Sequence, residues 1–108
     1  MDSILQGTTP VLELEFDTDD FLVTDVVKLE LTFLHKRQKT IHGLDDVSID
    51  TANNCISYHF TEEETLNLDY KLPLLYQVRL KLSDGEIVGT EKESLSVADL
   101  MSEEVMGD

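Results

Sequence analysis

This chain is poor in the residues that staple, break or span. It has no tryptophan, one cysteine, two prolines and five glycines in 108 residues. A lone cysteine, Cys55, cannot close an internal disulfide, so nothing here demands an oxidising compartment. Cys55 falls inside the strand-like run CISYHF and reads as an ordinary thiol rather than a nucleophile. Uncharged apolar runs are only a few residues long, as in Leu72 to Tyr76, and none approaches a membrane span. The first ten residues, MDSILQGTTP, hold neither a basic stretch nor a long apolar core, so no signal peptide is expected. There is no Gly-rich phosphate loop, no G-x-S-x-G and no H-E-x-x-H. With no tryptophan and three tyrosines, an aromatic platform for sugars has little support.

Positive charge is scarce too. There are 8 basic residues against 23 acidic ones, for a net charge of −15. Phosphate contacts and adhesion to anionic lipid both need Lys and Arg, so neither nucleic acid nor membrane is an expected partner. An acidic surplus favours solvation, a basic partner, or mimicry of a polyanion. The charge is uneven. Six acids and no Lys or Arg lie between Glu13 and Asp25, and four acids and no base between Asp99 and Asp108. The one basic cluster is Lys36, Arg37 and Lys39.

What the chain does have is alternation. Apolar residues are 41% of the total, and their period is two almost throughout, which is a β signal. A short strand is expected around Ser3 to Gln6. VLELEF follows Pro10, with Leu12, Leu14 and Phe16 on one face. A long strand runs from about Asp25 to His35, with Val27, Leu29, Leu31 and Phe33 turned inward. Short strands follow around Thr40 to His42 and Val47 to Ile49. The pair Asn53-Asn54 tolerates positive φ and turns VSID into CISYHF. Thr61 and Glu64 have capping-box spacing, which predicts one short helical turn over Thr61 to Asn67. Three consecutive glutamates, Glu62 to Glu64, cannot all point at one ion from a helix, so a metal site there is not expected. The histidines His35, His42 and His59 are scattered and read as surface residues. No cofactor is expected.

The stretch YQVRLKLSDGEIVGTE, Tyr76 to Glu91, is the clearest hairpin signal. A three-residue loop with Gly85 left-handed pairs Leu80 with Val88 and Val78 with Thr90, and sets apolar residues opposite one another. A two-residue Asp84-Gly85 turn is the alternative. The preferred register needs a slip near Gly89 to bring Leu95 and Val97 inward. It leaves Gln77, Arg79 and Lys81 on the outer face, as a basic spot on an acidic body. These three are the candidate protein-contact residues. The alternative is that Arg79 and Lys81 only balance acids of their own sheet, Glu91 for example. Residues 98–108 read either as a short helix or as a flexible acidic end.

The fold expected over residues 1–108 is thus one all-β domain: an antiparallel, immunoglobulin-like β-sandwich of about seven strands with one short helical turn near Thr61 to Asn67. A small Greek-key barrel is the other candidate. The order of segments carries a resemblance. QGTTP closes an early strand; LELEF and D-x-V-K-L-E-L-T-F follow. Then come V-S-I-D…N-x-I-S-Y-H-F, T-E-E-E-T-L, Q-V-R-L…D-G-E-I-V-G-T and S-V-A-D-L. Over about residues 4 to 105 the chain resembles small proteins encoded among the virion structural genes of phages and prophages of Gram-positive gut bacteria. Its ending, EEVMGD, departs from the glycine-valine-isoleucine tails of those relatives. The resemblance implies a non-enzymatic tail, baseplate or head accessory protein with an Ig-like fold, made in the host cytoplasm. Its implied partners are other virion proteins, and homo-oligomers are a further expectation. The competing expectation, from the charge, is an acidic DNA mimic that inhibits a host nucleic-acid-binding protein.

Overall fold

The computed structural model describes residues 3–100. Alternating apolar residues build nine strands: β1 (Ser3–Leu5), β2 (Val11–Glu15), β3 (Val26–His35), β4 (Gln38–His42), β5 (Ser48–Asp50), β6 (Cys55–His59), β7 (Leu74–Leu82), β8 (Ile87–Gly89) and β9 (Glu93–Ala98). One helix, α1 (Glu62–Leu66), links β6 to β7, and two short 3-10 turns lie at Val23–Asp25 and Leu44–Asp46. The smaller sheet has the order β2-β6-β5, and the larger β1-β9-β7-β3-β4 with β8 also on β7. Leu12 and Ile56 of the smaller sheet meet Leu31, Val78, Leu80 and Leu95 of the larger in the buried core. Two sheets packed face to face around this core make an all-β sandwich.

Two details differ from expectation. Among the described residues nine strands form rather than about seven, the final arm dividing into β8 and β9. The sandwich is also not wholly antiparallel, since β1 runs parallel to β9. That pairing covers the otherwise open edge of β9. The chain then crosses to the other sheet through Gly7, at φ +75°. A side chain there would collide with Leu100, its Cβ 2.7 Å from Cδ2. The tail assigned to 98–108 falls outside the described residues beyond residue 100.

The hairpin takes the three-residue loop. Leu80 pairs with Val88, and Gly85 is left-handed at φ +91°. The slip is present as well. β8 pairs with Arg79 to Lys81, whereas β9 pairs with Leu74 to Tyr76 in a register shifted by one residue. Thr90 closes the break: its N–H donates to the Val78 carbonyl and its Oγ1 accepts from the Val78 N–H. A second irregularity, between Val26 and Lys28, corrects an expected core position. The bulge turns Val26 inward and leaves Val27 exposed, because the extra residue inverts the parity at the start of β3.

The capping box forms as expected. Thr61 Oγ1 accepts from the Glu64 N–H at 3.2 Å, and Glu64 Oε1 accepts from the Thr61 N–H at 2.8 Å. Fully buried Thr65 anchors the helix by donating its hydroxyl to the Thr8 carbonyl at 2.8 Å.

Candidate functional site

Gln77, Arg79 and Lys81 are exposed on the outer face of β7, as their alternation with Val78, Leu80 and Leu82 requires. They do not act as one patch. Gln77 Nε2 donates to the Thr90 carbonyl at 2.9 Å. Arg79 lies directly opposite Glu30 on β3 and is bound to it, with Nε 2.7 Å from Oε1. Its expected acid, Glu91, is not the partner. Lys81 lies opposite another cation, Lys28. Arg79 is therefore taken up within its own sheet, and Lys81 is not.

The Arg79–Glu30 pair is exposed, so water and salt screen it. A double-mutant cycle over Arg79→Ala and Glu30→Ala should give a coupling of about 0.2–1 kcal/mol, shrinking as salt is added. A salt-independent coupling above about 2 kcal/mol would mean that the pair is shielded from solvent.

Registers define the rest of this face. Across it run Lys39–Leu34–Leu75–Ser94, Ile41–Thr32–Gln77, Glu30–Arg79–Gly89 and Lys28–Lys81–Ile87. Lys92 joins at the edge, lining a small cleft with Leu34, Lys39 and Leu75. Five of the chain's 8 cations, Lys28, Lys39, Arg79, Lys81 and Lys92, thus lie on or beside this face, whose paired rows hold one carboxylate, Glu30, on a molecule of net charge −15. Ile41 and Ile87 are the most exposed large apolar residues on the described surface, at 62% and 60%, and both belong to this face. Lysines directly opposed across strands repel. Among the described residues no carboxylate makes a salt bridge with Lys28 or Lys81.

The outer face of the smaller sheet is the reverse. Its rows are Val11–His59, Glu13–Ser57–Ser48 and Glu15–Cys55–Asp50. It has three carboxylates and no Lys or Arg. Cys55 senses them: burial first, then the charges of Asp50, Glu13 and Glu15, push its thiol up. A raised thiol stays protonated and is a poor nucleophile, in line with the sequence reading. Asp50 is held below the usual carboxylate range by hydrogen bonds from Asn53 and Ala52, which brace the turn after β5.

A cleft of about 360 Å³ opens where β4, α1 and the ends of β3 and β7 meet, lined by Phe33, His35, Gln38, His42, Glu64 and Leu74 among others. A polar chain runs along it. The Tyr58 hydroxyl donates to Glu64 Oε2 at 2.6 Å and lies 3.3 Å from His42 Nε2, and His42 Nδ1 is 3.7 Å from Asp46. Two of the three histidines are therefore not free surface residues, contrary to expectation. His35 Nε2 accepts from the Asp69 N–H at 2.8 Å, so its Nδ1–H faces the Pro73 carbonyl at 3.2 Å and straps the 69–73 loop to β3. His59 alone is exposed, as expected.

Burial, followed by the hydrogen bond to Glu64 and the charges of Glu64 and Asp46, raises the Tyr58 phenol above its ordinary value of 10.0. Tyr76 is raised too, by burial and then Glu93. A raised phenol contributes stability in full below the unfolded value and loses it as pH climbs toward the folded one. Denaturation midpoints should thus fall above pH 10.0, and Tyr58→Phe should flatten that alkaline limb. At neutral pH the same substitution should cost about 1–2 kcal/mol for the lost hydrogen bond. An alkaline limb of unchanged slope would assign the effect to other groups.

Among the described residues, no three His, Cys, Asp or Glu side chains converge as a metal site, and no helix is long and apolar enough to cross a membrane. Lys81 was legible as a contact candidate and Lys39 as part of the basic cluster; Lys28 and Lys92 were not, their only signal being an outward strand or edge position. No protein-family model matches the chain, and no curated protein does either.

Proposed function

We propose that this chain is a non-enzymatic structural protein of a phage or prophage virion, working through contacts with other proteins of the tail, baseplate or head. One observation carries the contact reading: the exposed face of β4, β3, β7 and β8 concentrates cations and two bare isoleucines on an otherwise acidic body. Interfaces favour apolar centres with complementary charge around them. The virion assignment draws on the resemblance of the segment order from QGTTP to S-V-A-D-L.

A second reading, the acidic DNA mimic, is favoured by the opposite face, where Glu13, Glu15 and Asp50 stand without a base. One experiment separates the two. Particles are purified from cells carrying the gene and analysed by quantitative mass spectrometry. The structural reading expects the chain in particles at fixed stoichiometry. Absence from particles, joined to tight binding of a basic host protein, overturns it in favour of the mimic.

A further inference from the structure

The two outer faces of the sandwich are opposite in charge and lie on opposite sides of the molecule. We propose that the β4-β3-β7-β8 face of one copy docks on the β2-β6-β5 face of a second copy. The proposal builds on the contact reading above and names the occupant.

The rows match in chemistry. Lys28 and Lys81 are set side by side, and among the described residues neither makes a salt bridge, Glu30 being bound to Arg79; anions from outside their own sheet would offset that repulsion. Glu15 and Asp50, flanking Cys55, form a pair of carboxylates without a cation. Each face leaves a like-charge repulsion that the other would relieve. Apolar surface is present on both, with Ile41 and Ile87 on one side and Val11 on the other. A two-fold contact would place lysines on lysines or glutamates on glutamates, so like faces repel. Head-to-tail contact is the arrangement that the charges allow. Such a contact leaves one face free at each end of a pair. Further copies therefore add until a ring closes or a stack extends.

The test is sedimentation velocity on the full chain, up to about 1 mM, where weak association becomes visible. Wild type should associate with concentration at roughly 0.15 M salt, where the repulsion between copies of net charge −15 reaches only about 8 Å, and return to monomer at roughly 0.5 M, as screening weakens the facing charges. Two variants reverse one face each: Lys28→Glu with Lys81→Glu, and Glu13→Lys with Glu15→Lys. All four positions are exposed, and circular dichroism checks that each variant folds. Either reversal alone should abolish association, and all four changes in one chain should restore it. A wild type that stays monomeric throughout overturns the proposal. So does association that survives a single-face reversal, or a four-fold variant that remains monomeric. A monomer still found in purified particles would sink self-docking while leaving the virion reading intact.

Discussion

Replacing Asn54 by alanine is expected to destabilise the fold by about 3–5 kcal/mol, the largest effect of any single polar substitution in the described chain. Asn54 is only 4% exposed, and its backbone is left-handed at φ +50°. Its Oδ1 accepts from the Val23 N–H at 2.8 Å. Its Nδ2 donates to the carbonyls of Phe16 and Phe21, at 3.1 and 3.0 Å. One side chain thus holds the whole 16–23 loop against the turn between β5 and β6. Alanine would strand a buried donor and two acceptors, each worth about 1–3 kcal/mol if left unsatisfied. It would also sit in a backbone region that costs it about 1–2 kcal/mol.

Asn54→Gly separates the two terms. Glycine accepts the left-handed backbone, so it should be about 1 kcal/mol less damaging than alanine while losing the same hydrogen bonds. Urea denaturation of both variants provides the check, and the melting point should fall by roughly 12 °C or more for alanine. An alanine variant within about 1 kcal/mol of wild type would mean that water or a shifted loop satisfies these groups.

Phe33→Ala should be nearly as costly, at about 3–5 kcal/mol, because it empties the middle of the aromatic cluster. The ring of Phe33 is 5.2 Å from Tyr58, 5.3 Å from Phe60 and 5.6 Å from His42, centroid to centroid. Tilted and edge-on contacts of this kind add about 0.5–1.5 kcal/mol beyond area burial. Phe33 also forms one wall of the cleft that carries the His42–Tyr58–Glu64 chain. Phe33→Leu keeps most of the volume and should cost only about 1–1.5 kcal/mol. The same denaturation series can be repeated above pH 10.0, the ordinary tyrosine value. There the alanine variant should show a shallower alkaline limb, since Tyr58 gains water and its phenol moves back toward that value. A limb as steep as that of wild type would show that Tyr58 stays dry without its neighbour.

Much of the fold was legible because its determinants are local. Alternation marked β2, β3, β6 and β7 close to their observed ends. Thr61 and Glu64 specified the turn of α1, since a capping box needs only four residues. Gly85 selected the hairpin register, because only one loop geometry set Leu80 against Val88. Even the one-residue slip followed from parity, as Leu95 and Val97 could not otherwise reach the core.

The contact surface was legible only in part. Arg79 and Lys81 were visible as outward positions, but their fates diverge through strand β3, some fifty positions earlier in the chain. Glu30 neutralises one and Lys28 repels the other, and nothing local to β7 states which. Asn54 announced its turn but not its three loop partners, which lie between β2 and β3. His42 found Tyr58 and Glu64 only when the sandwich closed. The sequence by itself determined which residues of each strand face in and which face out, because the period of two is a property of one strand. The tertiary structure alone decided which outward residues become neighbours. That depends on the register between remote strands, set by how the whole core packs, and it divided this acidic chain into one basic and one acidic face.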